Sequence, residues 1–293
     1  MSRIEVLKTY KIYIGGKFPR TESGRYYQPM NDKNALGNIC LSSRKDLRNA
    51  VVAARGALAG WSNRTAYNKS QILYRIAEML EGRRAQFVSE LEQQGSSKAE
   101  ASKEVDASID RLIYFAGWCD KYTQVFGAIN PVATSHFNFS SYEPTGVVGI
   151  ITPEKSSLLG LVSVVAPVIA GGNTCVVLAS ESKPLCAITF AEVLATSDVS
   201  GGVVNILTGK SNELLPHFGS HMDINAVTYC REDKTEIKAL QLDAVDNLKR
   251  IKVLSEDVDH EKAWETPYLI LDHSEVKTTW HPVENISAAG SGY

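Results

Sequence analysis

Five cysteines are the first residues to weigh for chemistry in this 293-residue chain: Cys40, Cys119, Cys175, Cys186 and Cys230. A thiolate attacks carbonyls or binds metal only where its surroundings lower its pKa. No two of these cysteines form a C-x-x-C pair, and their odd number and wide spacing suit neither a zinc finger nor a disulfide framework. His217 and His221 stand four apart, as two ligands on one helical face would. No H-E-x-x-H glutamate lies between them, and Pro216 and Gly219 disfavour a helix, so they read as loop or surface histidines. Gly209-Lys210-Ser211 matches the end of a phosphate-binding loop, but Val204 stands where its first glycine is required. Neither G-x-G-x-x-G nor G-x-S-x-G occurs, which removes the common dinucleotide fingerprint and the serine-nucleophile elbow.

Composition sets the frame for these residues. The chain is 44% hydrophobic and 22% charged, with 31 Lys+Arg against 33 Asp+Glu and a net charge of −2. That balance excludes wholesale disorder and gives no electrostatic case for a nucleic-acid or anionic-membrane partner. The uncharged stretch from Ser156 to Ser180 is broken by Pro167 and by Gly171-Gly172-Asn173. Its dense part, Leu158 to Ala170, is too short for a bilayer, which needs about 20 apolar residues. Met1 to Tyr10 has no long apolar run, so no secretory leader is expected, and Asn63-Arg64-Thr65 and Asn138-Phe139-Ser140 read as chance sequons. The expected setting is reducing and cytoplasmic.

The elements that must position any site follow from periodicity. Residues 11–18 alternate and turn at Gly15-Gly16, predicting a β-hairpin. Leu47, Val51, Ala54 and Leu58 predict a helix ending at Gly60; Ile72, Leu73, Ile76, Ala77 and Leu80 predict a second. Phe87, Val88 and Leu91 mark a third that stops near Gly95, and a long one runs from about Ala99 to Phe126. Residues 131–142, with His136, Phe137, Phe139 and Tyr142, read as an exposed β-arm. Apolar strands at Val147–Thr152, Thr174–Leu178, Val203–Leu207 and Ile224–Tyr229 alternate with helices at 157–170 and 184–196. That alternation predicts an α/β fold with a doubly wound parallel sheet. Residues 231–262 predict an amphipathic helix and a strand, Tyr268–Leu271 another strand, and Ala288–Gly292 a frayed end. The divisions expected are 1–130 (hairpin and helices), 131–142 (arm), 143–235 (βα core) and 236–293 (a divergent, truncated C-terminal segment).

Several of these segments, taken together, resemble an aldehyde dehydrogenase. Tyr13-Ile14-Gly15-Gly16-Lys17-Phe18, Ala50 to Trp61, Leu73 to Glu81 and Ala116 to Lys121 resemble the family's N-terminal hairpin and helices. Glu143-Pro144-Thr145-Gly146-Val147-Val148-Gly149-Ile150-Ile151-Thr152-Pro153 is the most specific stretch. Gly171-Gly172-Asn173-Thr174 and Gly202 to Gly209 follow in the family's order. The resemblance implies an NAD-binding domain, an oligomerisation arm and a catalytic domain built on a nucleophilic cysteine. The implied reaction is aldehyde oxidation through a thiohemiacetal, with hydride transfer to NAD(P) and thioester hydrolysis.

Position by position, the implied machinery is replaced. Where the family has P-W-N-F-P, this chain has Pro153-Glu154-Lys155-Ser156-Ser157, so Lys155 stands for the oxyanion asparagine and reads as half of a solvated ion pair. Leu178 replaces the lysine that holds the adenosine ribose, while Glu181 is retained. The F-T-G-S turn becomes Tyr229-Cys230-Arg231-Glu232, which puts Glu232 where phosphate oxygens would lie. Leu254 falls on the general-base glutamate, and no cysteine follows Cys230. No catalytic or metal-binding residue is therefore expected. Thr152, Pro153 and Glu181 are the vestigial cofactor-binding candidates; no cofactor is expected, NAD being the one alternative. The pattern is similar to the shortened, non-catalytic second unit of family 16 aldehyde dehydrogenases. The function expected is oligomerisation or protein interaction through the arm, with a second copy or a catalytic-type aldehyde dehydrogenase unit as partner. The alternative is a residual NAD(P)-binding protein or an oxidoreductase subunit acting on aldehydes.

Overall fold

The computed structural model describes residues 6–32, 34–258 and 264–283. The chain opens with short strands β1 (Thr9–Tyr10), β2 (Tyr26–Tyr27), β3 (Met30–Asn31), β4 (Asn34–Ala35) and β5 (Asn38–Cys40), with β5 between β1 and β2 and β3 paired to β4. The hairpin expected over 11–18 is reduced to its turn. Ile14 and Lys17 exchange both backbone hydrogen bonds around Gly15 and Gly16, whose φ values of 60° and 79° suit a two-residue turn. Tyr13 bridges Ile206 instead, tying this segment to the main sheet.

Four helices follow: α1 (Arg44–Ser62), α2 (Ala66–Gly82), α3 (Arg84–Gln93) and α4 (Lys98–Ala116). Their starts are set by local chemistry. Asp46 accepts from the backbone N–H and hydroxyl of Ser43, Thr65 accepts from the N–H of Asn68, and Ser97 and Glu100 bond reciprocally. Gly60 does not end α1; it lies on the exposed side, where glycine costs only propensity, and the helix continues to Ser62. The single helix expected from 99 to 126 breaks at Gly117 and resumes as α5 (Tyr122–Phe126).

The rest of the chain is β6 (Ala128–Asn130), β7 (His136–Pro144), β8 (Val147–Ile151), α6 (Leu159–Ala170), β9 (Thr174–Leu178), α7 (Leu185–Ala195), β10 (Val204–Leu207), α8 (Ser211–Ser220), β11 (Ala226–Tyr229), α9 (Lys234–Asp243), β12 (Arg250–Val253), α10 (Tyr268–Leu271) and β13 (Ser274–Pro282). Strands β10-β9-β8-β11-β12 form one fully parallel sheet in that order, the doubly wound arrangement expected. Alternate residues feed opposite faces. Val148, Ile150, Cys175 and Val177 join Leu73, Phe87, Leu112, Val162 and Ile188, whereas Val147, Ile151, Val176 and Leu178 join Leu47, Phe218 and Leu240. Gly149 must be small, because a Cβ there would lie 2.7 Å from Phe218 Cδ1.

Three further expectations are corrected. Helix α8 forms through Pro216 and Gly219. Pro216 costs the helix one interior N–H, the one that would reach the carbonyl of Asn212, Gly219 fits against Asp243, and Lys249 Nζ caps the far end by donating to the carbonyls of Phe218 and His221, each at 2.9 Å. Tyr268–Leu271 is a helix, not a strand, with Leu269 and Ile270 buried and Tyr268 exposed. The arm is longer than 131–142 and does not stand alone: all nine residues of β7 pair antiparallel with β13, with β6 on its other edge. Residues of the C-terminal segment thus complete both sheets, through β12 and β13. The polar run Ala288–Gly292 lies outside the described residues.

Candidate functional site

The loops leaving β8, β9, β10 and β11 converge on a cleft of about 800 Å³, at the carboxyl ends of the strands, where ligands of doubly wound sheets bind. Its walls include Tyr27, Glu154, Glu181, Ser182, Lys210 and Arg231. Tyr27 comes from the N-terminal strands and donates its hydroxyl to the carbonyl of Glu181 at 3.1 Å.

Glu154 organises this cleft. Its Oε2 accepts from Ser180 Oγ at 2.7 Å, Ser182 Oγ at 2.9 Å and the Ser182 N–H at 3.1 Å. Its Oε1 accepts from the Glu181 N–H at 3.0 Å and lies 2.6 Å from Arg231 Nη2. That last N–H makes no hydrogen bond despite the short separation, so the contact is ionic. Burial alone would raise the Glu154 carboxyl; the Arg231 charge and the bonds from Glu181, Ser180 and Ser182 outweigh it and hold the group below the usual carboxylate range. Arg231 is buried and anchored on both sides, with Nε donating to the carbonyl of Thr152 and Nη1 to Ser211 Oγ, each at 2.9 Å.

Of the three candidate cofactor residues, Glu181 lines the cleft, its Oε2 a long 3.4 Å from the Ser211 N–H. Thr152 and Pro153 are buried beneath it; Thr152 Oγ1 donates to the carbonyl of Leu178 and fixes the exit of β8. Leu178 is buried within β9. Lys155 is exposed and paired with Asp257 at 2.9 Å and Glu256 at 3.8 Å. Glu232 is exposed and is not part of the cleft wall, whose acids are Glu154, Glu181 and Glu236. Leu254, half-buried, donates its N–H to the carbonyl of Tyr229.

All five cysteines are free and buried, Cys40 in β5. Burial pushes the Cys119 and Cys230 thiols up to about 12, and those of Cys175 and Cys186 well above the ordinary value too. Among the described residues no group of three or more His, Cys, Asp or Glu side chains could hold a metal ion.

The sequence reading missed the pairing of Glu154 with Arg231, and the parts of Tyr27 and Lys210. A signal for the pair existed: both are charged departures from the family pattern at the ends of strands that become neighbours.

The match to known proteins agrees with this architecture. The model of the aldehyde dehydrogenase family matches residues 19–255. The chain belongs to the aldehyde dehydrogenase family. Cytosolic 10-formyltetrahydrofolate dehydrogenase of Mus musculus is 28% identical over 263 residues, covering 86% of this chain and 29% of that protein. An aldehyde dehydrogenase of Aspergillus niger is 29% identical over 245 residues, covering 82% and 48%. Among solved aldehyde dehydrogenases, the NAD+ complex from Bacillus cereus superposes with a TM-score of 0.80 at 25% identity, covering 84% of this chain and 50% of that one. The chain therefore spans under a third of the mouse protein and about half of the other two. No helix among the described residues is long and apolar enough to cross a membrane.

Proposed function

We propose that this chain is a non-catalytic aldehyde dehydrogenase-family unit that works by assembling with protein, either a second copy or a catalytic aldehyde dehydrogenase unit, through the β13-β7-β6 sheet. One observation carries the reading: the chain's five thiols are all buried, whereas this sheet displays Ile129, Phe137 and Phe139 in a row on one face. Ile129 is 74% exposed and Phe137 44%, and the two phenylalanine rings lie 5.6 Å apart. Trp280 and Val276 are exposed on the opposite face. Contiguous exposed apolar side chains on a sheet are the usual mark of an interface. A reducing, cytoplasmic setting goes with this reading, supported by the five free cysteines.

No dinucleotide goes with it either. The family's fold implies NAD(P), but the residues present do not fit one. Leu178 offers no cation to a ribose, and the position of the close-approach glycine is Arg231. The carboxylate of Glu154 holds the donors of the loop after β9. The competing reading, a residual NAD(P) binder, leans on Glu181 facing the cleft.

Light scattering of the chain alone and mixed with a catalytic aldehyde dehydrogenase decides the assembly reading. A mass above the monomer for the chain alone, or a species in the mixture heavier than the dehydrogenase by itself, lost in the Ile129→Ser/Phe137→Ser double variant, is expected; a monomer alone and no added mass in the mixture overturn it. An aldehyde panel with NAD+ and NADP+ should leave absorbance at 340 nm unchanged, and any turnover ends the non-catalytic reading.

A further inference from the structure

We infer that the ends of β8, β9 and β11 form an anion site suited to a phosphate-class group, and that its resident occupant is the chain's own Glu154. This goes beyond the assembly role and shares with it only the premise that the native cleft holds no nucleotide.

The site is built from four hydrogen-bond donors and one cation. Consecutive backbone N–H groups of Glu181 and Ser182, together with the hydroxyls of Ser180 and Ser182, bond one carboxylate from the loop after β9. Successive N–H groups in a turn form a concave anion nest, and a buried guanidinium beside it adds charge. The Arg231 side chain is only 10% exposed and fixed at Nε and Nη1, so it cannot follow a ligand out to solvent.

Glu154 fills this site imperfectly. Its Oε2 serves three donors, whereas Oε1 serves one N–H and the ionic contact, and Arg231 Nη2 is left buried without a hydrogen bond. A flat carboxylate has two oxygens for five groups; a phosphate monoester or free phosphate brings three or more in a tetrahedral array. The Glu154 side chain is 27% exposed and faces the open cleft, so there is room for a larger anion once it is gone. Its charge, fixed at this point, repels an external phosphate in the native chain. Arg231 stands where the family pattern has glycine and Glu154 where it has tryptophan. The two departures neutralise each other and let the cleft stay folded without a ligand.

The test uses the full chain as wild type, Glu154→Ala, Glu154→Gln and Glu154→Ala/Arg231→Met. Inorganic phosphate, pyrophosphate and then ADP-ribose are titrated by calorimetry and thermal shift. Wild type should not respond to millimolar phosphate. Glu154→Ala should bind phosphate at least about tenfold more tightly, the scale of one charge-assisted contact, and lose that binding when Arg231 is also replaced. Glu154→Gln, which keeps the shape, should bind less than the alanine variant. Rescue of an unstable alanine variant by phosphate supports the inference. A folded alanine variant that ignores phosphate overturns it, as does binding that survives the loss of Arg231, wild-type binding of equal strength, or failure of both single variants to fold even in phosphate. Response to pyrophosphate and ADP-ribose beyond that to phosphate marks an ester as the preferred source; an equal response marks free phosphate. Wild-type binding of NAD+ would instead defeat the cofactor-free reading while leaving the phosphate comparison readable.

Discussion

Glu154 keeps its charge where burial would remove it, so its ionisation is coupled to folding. A carboxyl held below its ordinary 4.5 in the folded state contributes stability above that pH and loses it as the pH falls through the folded value. Glu154→Gln is therefore expected to be less stable than wild type by about 2 kcal/mol near neutral pH, partial exposure trimming the larger cost of a buried unpaired charge. The gap should close as the pH falls from the ordinary carboxylate range through the lowered folded value. Urea unfolding across that range checks it; a gap that persists at low pH would mean that lost packing, not charge, separates the two proteins. The cysteines make a second residue-scale case. A thiol needs exposure and a lowered pKa to react; all five are buried, and burial raises those of Cys119, Cys175, Cys186 and Cys230. At neutral pH the folded chain should resist an uncharged alkylating reagent for far longer than the unfolded chain, which should take up five equivalents. Rapid labelling of one native thiol would reopen the question of a nucleophile.

Elements in this protein pack closely at several glycines, and β8 meets α8 at one of them. Adding a methyl at Gly149 places it 2.7 Å from the ring of Phe218, so Gly149→Ala should cost about 1–3 kcal/mol, the usual range for overpacking. Phe218→Leu in the same chain should recover part of the loss; a double variant no better than the sum of the singles would show that the strain lies elsewhere. This scale also shows what the amino-acid pattern could reveal. Strands β8 to β11 were legible because each is a short, wholly apolar run between turn signals, as buried parallel strands must be. Tyr268–Leu271 was misread because four apolar residues carry no period to separate helix from strand. Pro216 and Gly219 were over-weighted as breakers, since the packing of Phe218 and the Lys249 cap lie outside the local sequence. Of the site, Glu181 could be seen on the cleft wall. Glu154 and Arg231 stand out in the sequence only as two charged departures from the family pattern; that they meet depends on β8 and β11 being neighbours across an intervening pair of βα units.

At the scale of the whole molecule the antiparallel sheet is held to the parallel one by the buried His273, alongside the bonds and ion pairs of Arg250 with Ser274 and Glu275 and of Lys252 with Asp272. It is fully buried between α10 and β13; Nε2 lies 2.6 Å from Thr228 Oγ1 on β11, and Nδ1 lies 2.8 Å from the carbonyl of Leu269. The carbonyl requires Nδ1 to carry the proton, which leaves Nε2 to accept from the threonine hydroxyl. The backbone carbonyl of His273 also accepts from Asn173 Nδ2 and the Thr145 N–H, which joins it to the entry of β8. Burial lowers its pKa; Asp272 opposes that shift and Lys252 and Arg250 add to it. A histidine kept neutral in the fold contributes stability above its unfolded value, about 6.5, and loses it as the pH falls. From pH 7 to pH 5 wild type should lose up to about 2 kcal/mol more than His273→Gln, in which nothing titrates at that site. The location of the loss matters more than its size. Because β13 pairs with β7 along its whole length and His273 pins both to β11, residues 136–144 and 268–282 should open together. Native-state hydrogen exchange read by mass spectrometry should therefore show, in His273→Gln or in wild type at pH 5, faster exchange in β7 and β13 alike, with β8 and β9 unchanged. If β13 opens while β7 keeps its protection, the two sheets are tied by something other than this histidine, and the arm is stable without the C-terminal strand.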